Sequence, residues 1–335
     1  MFGPAEADLL NRGRRSVAVD LKHPDGVATV LRLVEHAEIL VEGYRPGVAE
    51  RLGVGPDDCA RVNPRLVYGR MTGWGQHGPL AHAAGHDLAY IATTGALYAI
   101  GRAGGPPQVP MNLLGDFAGG AMYLVSGVLA ALVEARAGGR GQVVDAAIVD
   151  GTAHLSTMIV GMRAAGAWHD ERGTNLLDTG APYYDVYETA DGRHMALAAL
   201  EPQFYEAFVS RFGAGDLPDR YDPTLWPDLR ARIAQRFLEL TQAEWTEIFE
   251  GTDACVAPVL TFEEAAKGPH LAARQTYVEH HGVVQPAPAP RFSRTAAALG
   301  SPPAAQGGQD SRSALQDWGV QDVDELIASG AVTQT

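Results

Sequence analysis

The stretch EILVEGYRPGVAERLGVGPDDCARVNPRLVYGRM, residues 38–71, decides the fold class. Its two ends, EILVEGY and RLVYGRM, are short apolar runs that read as buried strands. Between them, GVAERL and PDDCARV read as short helices set apart by Gly and Pro. Upstream, SVAVDL reads as another buried strand and DGVATVLRLVEHA as an amphipathic helix. Strands alternating with helices predict a parallel sheet with helices on its faces, the α/β class. The alternation continues with helices near 87–98 and 117–137, a strand at GQVVDAAI and a helix through VDGTAHLSTMIVGM.

The pattern changes near residue 182. YYDVYETADGRHMALAAL holds two strand-like runs around Ala190-Asp191-Gly192, a hairpin signal. PQFYEAFVSRF, PDLRARIAQRFLEL and TQAEWTEIFEGT follow as helices. The last opens with Thr241 and Glu244, spaced as a capping box. A smaller α+β domain is therefore expected over 182–285, after a large domain over 1–181. VVQPAPAPRFSR is Pro-rich and extended, and SPPAAQGGQDSR reads as an exposed linker. DVDELIASGAV closes the last segment, 286–335, as a short helix ending at Gly330.

The chain's 335 residues leave room for about two domains. With 46% hydrophobic and 20% charged residues it has the composition of a folded chain with a sizeable core. A net charge of -14 with no basic stripe argues against a nucleic-acid partner. Cys59 and Cys255 lie far apart with no metal-ligand spacing, so both are expected to be reduced core residues of a cytoplasmic protein. MFGPAEADLLNRGRRSVAVD lacks the apolar centre of a signal peptide. The apolar run near 121–133 is short for a membrane span and predicts a core helix instead.

Gly73-Trp74-Gly75-Gln76-His77-Gly78 fits G-x-G-x-x-G after a strand, but Pro79 and an Ala-rich loop follow where a dinucleotide site needs a helix. A loop that lets a ligand approach the backbone is the better reading. Three titratable groups each stand at a predicted helix start. Asp116, in MNLLGDFAGG, suits an N-cap, and free amides there also suit a developing oxyanion. His86 precedes Asp87, itself a candidate cap for LAYIATTGAL. Glu201 precedes Pro202 at the start of another helix. A histidine and two carboxylates are suitable general acid–base groups.

Taken together, VEGYRPGVAERLGVG, YGRMTGWGQHGPL, GHDLAYIATTGAL, GDFAGGAMYLVSGVLAALVEARAGGRGQVVDAAIVDG and EPQFYEAF resemble the family III CoA-transferases, and within them the α-methylacyl-CoA racemase branch. The resemblance runs from Leu10 to about residue 290, with a looser tail. It implies a Rossmann-like, CoA-binding large domain, a small domain, a C-terminal segment returning to the large one, and an interlocked homodimer. It implies His86, Asp116 and Glu201 as the catalytic groups, with His86 and Glu201 hydrogen-bonded on one side of the substrate and Asp116 on the other. It places Arg45, Arg51 and, less directly, Lys22 near the adenine and phosphates of CoA. The substrate would be an acyl-CoA thioester, with no separate cofactor, no metal, no nucleic acid and no membrane. Met111, Met158 and Met162 are candidates for the acyl surface, and equally for ordinary core.

The family pattern expects a strand–helix–strand unit ahead of LNRGRRSVAVDL, which this sequence lacks. Two alternatives accompany the racemase. One is a CoA-transferase in which Asp116 is the nucleophile. The other is a shortened, non-catalytic acyl-CoA-binding protein. NLLDTGAPYYD has a single Gly where formyl-CoA-type transferases carry a glycine-rich loop, which favours the racemase.

Overall fold

The computed structural model describes residues 7–335. MFGPAE, the start of the stretch read above for a signal peptide, lies outside them. β1 (Ala18–Val19) leads to α1 (Pro24–His36), where Pro24 takes the first turn and His23 Nδ1 accepts the Asp25 N–H. β2 (Ile39–Glu42), α2 (Val48–Arg51), α3 (Pro56–Val62) and β3 (Val67–Thr72) follow in the predicted order. The helix expected near 87–98 is two, α4 (Asp87–Thr93) and α5 (Ala96–Ala99), because Gly95 turns the chain at φ +89°. A π-helix, Leu113–Ala121, runs directly into α6 (Met122–Gly138), and β4 (Val143–Ala147) comes next. The middle of the chain holds α7 (Ile148–Leu155), α8 (Thr157–Ala164), β5 (Tyr184–Glu188), β6 (His194–Ala198), α9 (Pro202–Phe212), α10 (Trp226–Phe237), α11 (Gln242–Phe249) and β7 (Val256–Pro258). Last come α12 (Phe262–Lys267), α13 (Pro269–Ala273), β8 (Tyr277–His280), β9 (Val283–Pro286), α14 (Ser311–Asp317), α15 (Val323–Ala328) and β10 (Val332–Thr333).

These elements form two units, each assembled from separate stretches of chain. The first takes the chain up to Ala83, with Ala121–Ala147 and Thr261–Thr335. Its central sheet is β2-β3-β4, parallel throughout, with Ile39 opposite Val67 and Tyr68 opposite Val143. Leu124, Val128, Ala131 and Ala135 on α6 pack with Val67 and Ala146 of that sheet. Gly69 permits this approach, since a Cβ there would lie 3.0 Å from both Leu124 and Val128.

Three expectations need correction in this unit. SVAVDL does not join the parallel sheet. Only Ala18 and Val19 are strand, and they pair antiparallel with Thr333 and Val332. The returning C-terminus supplies nearer partners: Asp310 Oδ2 accepts the Ser16 N–H at 2.8 Å and Ser311 Oγ accepts the Ala18 N–H at 3.1 Å. Val17 and Val19 then pack with Leu315, Val323, Leu326 and Val332 in a small core. For the same reason the linker-like SPPAAQGGQDSR is anchored, with the Gly308 N–H on Ser16 Oγ. Finally, the apolar run is longer than it reads: Leu113–Gly138 is one continuous 26-residue helix of mean hydropathy 1.6 in its most apolar window. Length and composition alone would let it cross a membrane. The buried residues of its α6 part lie on β3 and β4, as in a core helix, while Met122, Val125, Leu129 and Val133 are exposed.

The second unit comprises Ala84–Gly120 and Ile148–Leu260. Its sheet is an antiparallel β5-β6-β7, with Tyr187 opposite Met195 and Leu197 opposite Val256. The predicted hairpin is present, turned by Gly192 at φ +72°. Tyr187, Met195 and Leu197 pack on a fully buried aromatic set, Phe208, Phe212, Phe237 and Trp245, contributed by α9, α10 and α11. The Phe212 and Phe237 ring centroids are 4.8 Å apart, within the attractive range for aromatic pairs. The capping box at Thr241 forms: Glu244 takes the Thr241 N–H at 2.8 Å, and Thr241 Oγ1 takes the Glu244 N–H. Asp185, its side chain 1% exposed, is held between Arg102 and Arg230.

The cysteines divide. Cys59 is buried, and burial pushes its thiol up to about 11. Cys255 is not a core residue as expected. It is exposed, with left-handed backbone at φ +52°.

Candidate active site

His86 is the N-cap residue of α4, in extended backbone at φ -132°, and its exposed ring makes no capping bond. The Tyr90 hydroxyl donates to the Gly85 carbonyl and fixes the turn just before it. Asp87 begins α4 and is buried, but its carboxylate does not cap its own helix. Asp87 Oδ1 accepts the backbone N–H of Asp116, at 2.7 Å.

This revises the reading of Asp116. The residue is not an N-cap. It lies inside the π-helix Leu113–Ala121, half-buried, and Asp87 supplies the capping oxygen. The Asp116 side chain remains on the surface of the turn, with Oδ2 accepting from Asn112 Nδ2 at 3.3 Å. Its amide is already engaged, so it is not the free oxyanion donor that the sequence offered.

The glycine before it explains the close fit. A Cβ on Gly115 would stand 2.2 Å from Asp87 Oδ1 and 2.9 Å from Ile91 Cγ2, so only glycine lets α4 lie against the π-helix here. Gly119, one turn on, has Thr152 of α7 in the same relation, with Oγ1 at 2.4 Å. π-Helical segments are rare and recur at functional sites.

Glu201 is the N-cap residue of α9, exposed, with Pro202 in the first turn and no capping bond from its side chain. Among the described residues no hydrogen bond joins Glu201 to His86. The Cys255 thiol is pushed up by burial and then by the charge of Glu201. A cavity of about 940 Å³ in this unit is lined by Ile100, Leu114, Leu155, Ile159, Val160 and Trp168, among others. Leu114 stands two positions before Asp116. Met111 and Met158 are exposed apolar side chains in this unit, not core.

Lys22, Arg45 and Arg51 belong to the first unit. All three are exposed, and among the described residues none is held in an ion pair. Exposed, uncommitted cations of this kind can receive a phosphorylated ligand. GWGQHG is a loop, with Gly75 and Gly78 at φ +87° and +103°, and the Gln76 N–H donates to Asp145 Oδ2.

A neighbouring group escaped the sequence reading. Arg70, within β3, sits in register with Glu42 at the end of β2, their side chains 8% and 6% exposed. Arg70 Nε donates to Glu42 Oε1 and Nη1 to Glu50 Oε1, both at 2.8 Å. Glu42 also accepts the Tyr44 N–H. The segment Glu42 to Glu50, which carries Arg45 and is followed directly by Arg51, is thus fastened at both ends to one guanidinium. The hydrogen bond from Arg70 holds the Glu50 carboxyl below the usual range. The signal was available: an arginine inside the apolar strand LVYGRM demands a buried partner.

The sequence pattern of CoA-transferase family III matches residues 3–311. The chain belongs to CoA-transferase family III. This family III chain is 44% identical over 299 residues to alpha-methylacyl-CoA racemase of Mus musculus, spanning 88% of the chain and 78% of the relative. Identity to the Homo sapiens alpha-methylacyl-CoA racemase is also 44%, over 295 residues, 87% of this chain and 77% of that one. An acetyl-CoA:oxalate CoA-transferase of Acetobacter aceti is 30% identical over 303 residues, 85% of this chain and 76% of the relative. The mixed α/β fold matches a CaiB/BaiF family protein of Brucella suis, with a TM-score of 0.77 at 22% identity over 92% of this chain and 82% of that one. Rv3272 of Mycobacterium tuberculosis superposes with a TM-score of 0.73 at 26% identity over 90% and 81%.

Proposed function

We propose that this family III enzyme interconverts the (R) and (S) forms of 2-methylacyl-CoA thioesters. The observation that carries the reading is the Asp87–Asp116 hydrogen bond, which links the helix starting at His86 to the helix bearing Asp116. Two groups able to move protons are thereby held on tied elements. The 44% identity to two racemases supports the same choice over other family chemistry.

The thioester acidifies the α-carbon. One group takes the α-proton, and the C–H electron pair moves into an enolate. The other group, protonated at the outset, delivers its proton to the opposite face and the carbonyl re-forms. In this scheme Asp116 serves one face and His86 the other, with Glu201 orienting the imidazole. Such proton transfer is worth about 10²–10⁴-fold in rate for each positioned group. Arg45, Arg51 and Lys22 take the adenine and phosphate end of CoA, which is part of the substrate, and no other cofactor enters the scheme. The apolar cavity beside Leu114 suits the acyl chain. A Rossmann-like large domain, a homodimer and a cytoplasmic setting belong to the same proposal.

The test is proton NMR of the chain with a 2-methylacyl-CoA in D₂O without any acceptor acid. Loss of the α-proton signal with epimerisation is expected. The second reading is a CoA-transferase with Asp116 as nucleophile, favoured by the 30% identity to the acetyl-CoA:oxalate enzyme. It expects no α-proton exchange at all, and transfer of CoA to a free carboxylic acid once one is added. Binding of the CoA ester with neither outcome points to a non-catalytic binder.

A further inference from the structure

We infer that Asp87 is a positioning residue that fixes the spacing between the two proton-moving groups, His86 and Asp116. The inference rests on the racemase reading and adds a residue to it. Asp87 touches neither substrate nor reacting atoms in this scheme and acts through its neighbours.

The chemistry of a buried carboxylate carries the case. Asp87 is 8% exposed, and burying such a group is costly unless it is partnered. Its partner is the Asp116 amide at 2.7 Å, at the positive end of a long helix. Stability alone calls for no such reach, because a helix start is ordinarily capped from its own adjoining residues. Asn112 stands where a local capping residue would, yet its side chain amide is turned to the Asp116 carboxylate. A cap drawn instead from the residue next to His86 makes the two backbone positions one rigid connection. Gly115 guards the connection, since any Cβ would strike Asp87 Oδ1 at 2.2 Å, and Ile91 rests against the same glycine one turn along α4.

The experiment compares α-proton exchange from each epimer of a 2-methylacyl-CoA in the wild type, Asp87→Ala and Asp87→Asn, with Tm recorded for all three. Displacing a reacting group by about 1 Å costs about 100-fold, so Asp87→Ala is expected to lose kcat on that scale from both epimers. KM should change less than about threefold, because no substrate contact is removed. Asp87→Asn keeps an oxygen that accepts the Asp116 N–H and should retain at least about a third of kcat. If Asp87→Ala does not fold, Gly115→Ala takes its place, crowding the carboxylate off the amide with the same loss expected. Exchange within about threefold of wild type in the folded variant overturns the inference. So does an asparagine variant as slow as the alanine one, or a loss confined to one epimer. A wild-type chain that exchanges neither epimer instead overturns the racemase reading, and the claim on His86 falls with it.

Discussion

Asp116 is held by its backbone while its carboxylate stays at the surface of a π-helical turn. A change confined to the side chain should therefore spare the fold. Asp116→Asn is expected to lower exchange by at least about 10²-fold while leaving the thermal midpoint nearly unchanged, as read by NMR and circular dichroism. On the proposed scheme Glu201→Gln should cost less than His86→Ala, since an orienting group contributes less than the group it orients. The reverse order would show that Glu201 itself handles the proton. The sequence offers these residues as candidates through their motifs. It does not offer their partners. Local patterning made both Asp87 and Asp116 caps of their own helices, because capping rules see only the adjoining turn. The bond that matters joins positions in two helices, and only the folded chain brings them together. The same holds for Gly115, whose role is set by an oxygen from another element.

At the scale of elements, the fastening of α2 to the sheet is the most exposed to test. Arg70 and Glu42 are both almost wholly buried, and removing one partner leaves the other charged and unpaired. Arg70→Met is expected to destabilise the protein by about 3–5 kcal/mol, measured by urea unfolding. Arg70→Lys, which cannot bridge both glutamates with a planar fork, should raise KM for the CoA ester with kcat little changed. Glu50 gives a pH signature. Its folded pKa is depressed by Arg70, so its stabilising contribution is complete above the unfolded glutamate value of about 4.3 and is lost as pH falls through the folded value. Wild type should therefore lose more stability than Glu50→Gln on acidification below about pH 4, read as the difference between their melting curves. The strands and helices of residues 38–71 were legible because apolar period and Gly/Pro punctuation are local. The end-to-end fastening was not, because it depends on register.

At the scale of the whole molecule, the aromatic set behind β5 and β6 is the heaviest apolar contribution of the second unit. Phe212 is fully buried between Phe237, Phe208 and Trp245. Phe212→Ala is expected to cost about 3–5 kcal/mol, with exchange activity lost only as the unit unfolds, so that activity and ellipticity melt together. In the first unit, Arg45→Ala should weaken CoA-ester binding several-fold, measured by calorimetry, with little change in Tm. The composition and alternation of the sequence were enough to read a mixed α/β fold. The destination of SVAVDL was beyond them, since a two-residue strand chooses its partner from whatever the end of the chain delivers.

That pairing of Ala18 with Thr333 also imposes a schedule on biosynthesis. Strand β1 waits for a mate translated more than 300 residues after it. Val17, Val19 and Leu33 have no completed core until Val332 has cleared the exit tunnel. Nascent apolar segments left bare for that long are the ones that aggregate or recruit chaperones. The first unit thus completes this pairing only once β10 has been made, and a chain that stopped short of Val332 would leave β1 without its mate.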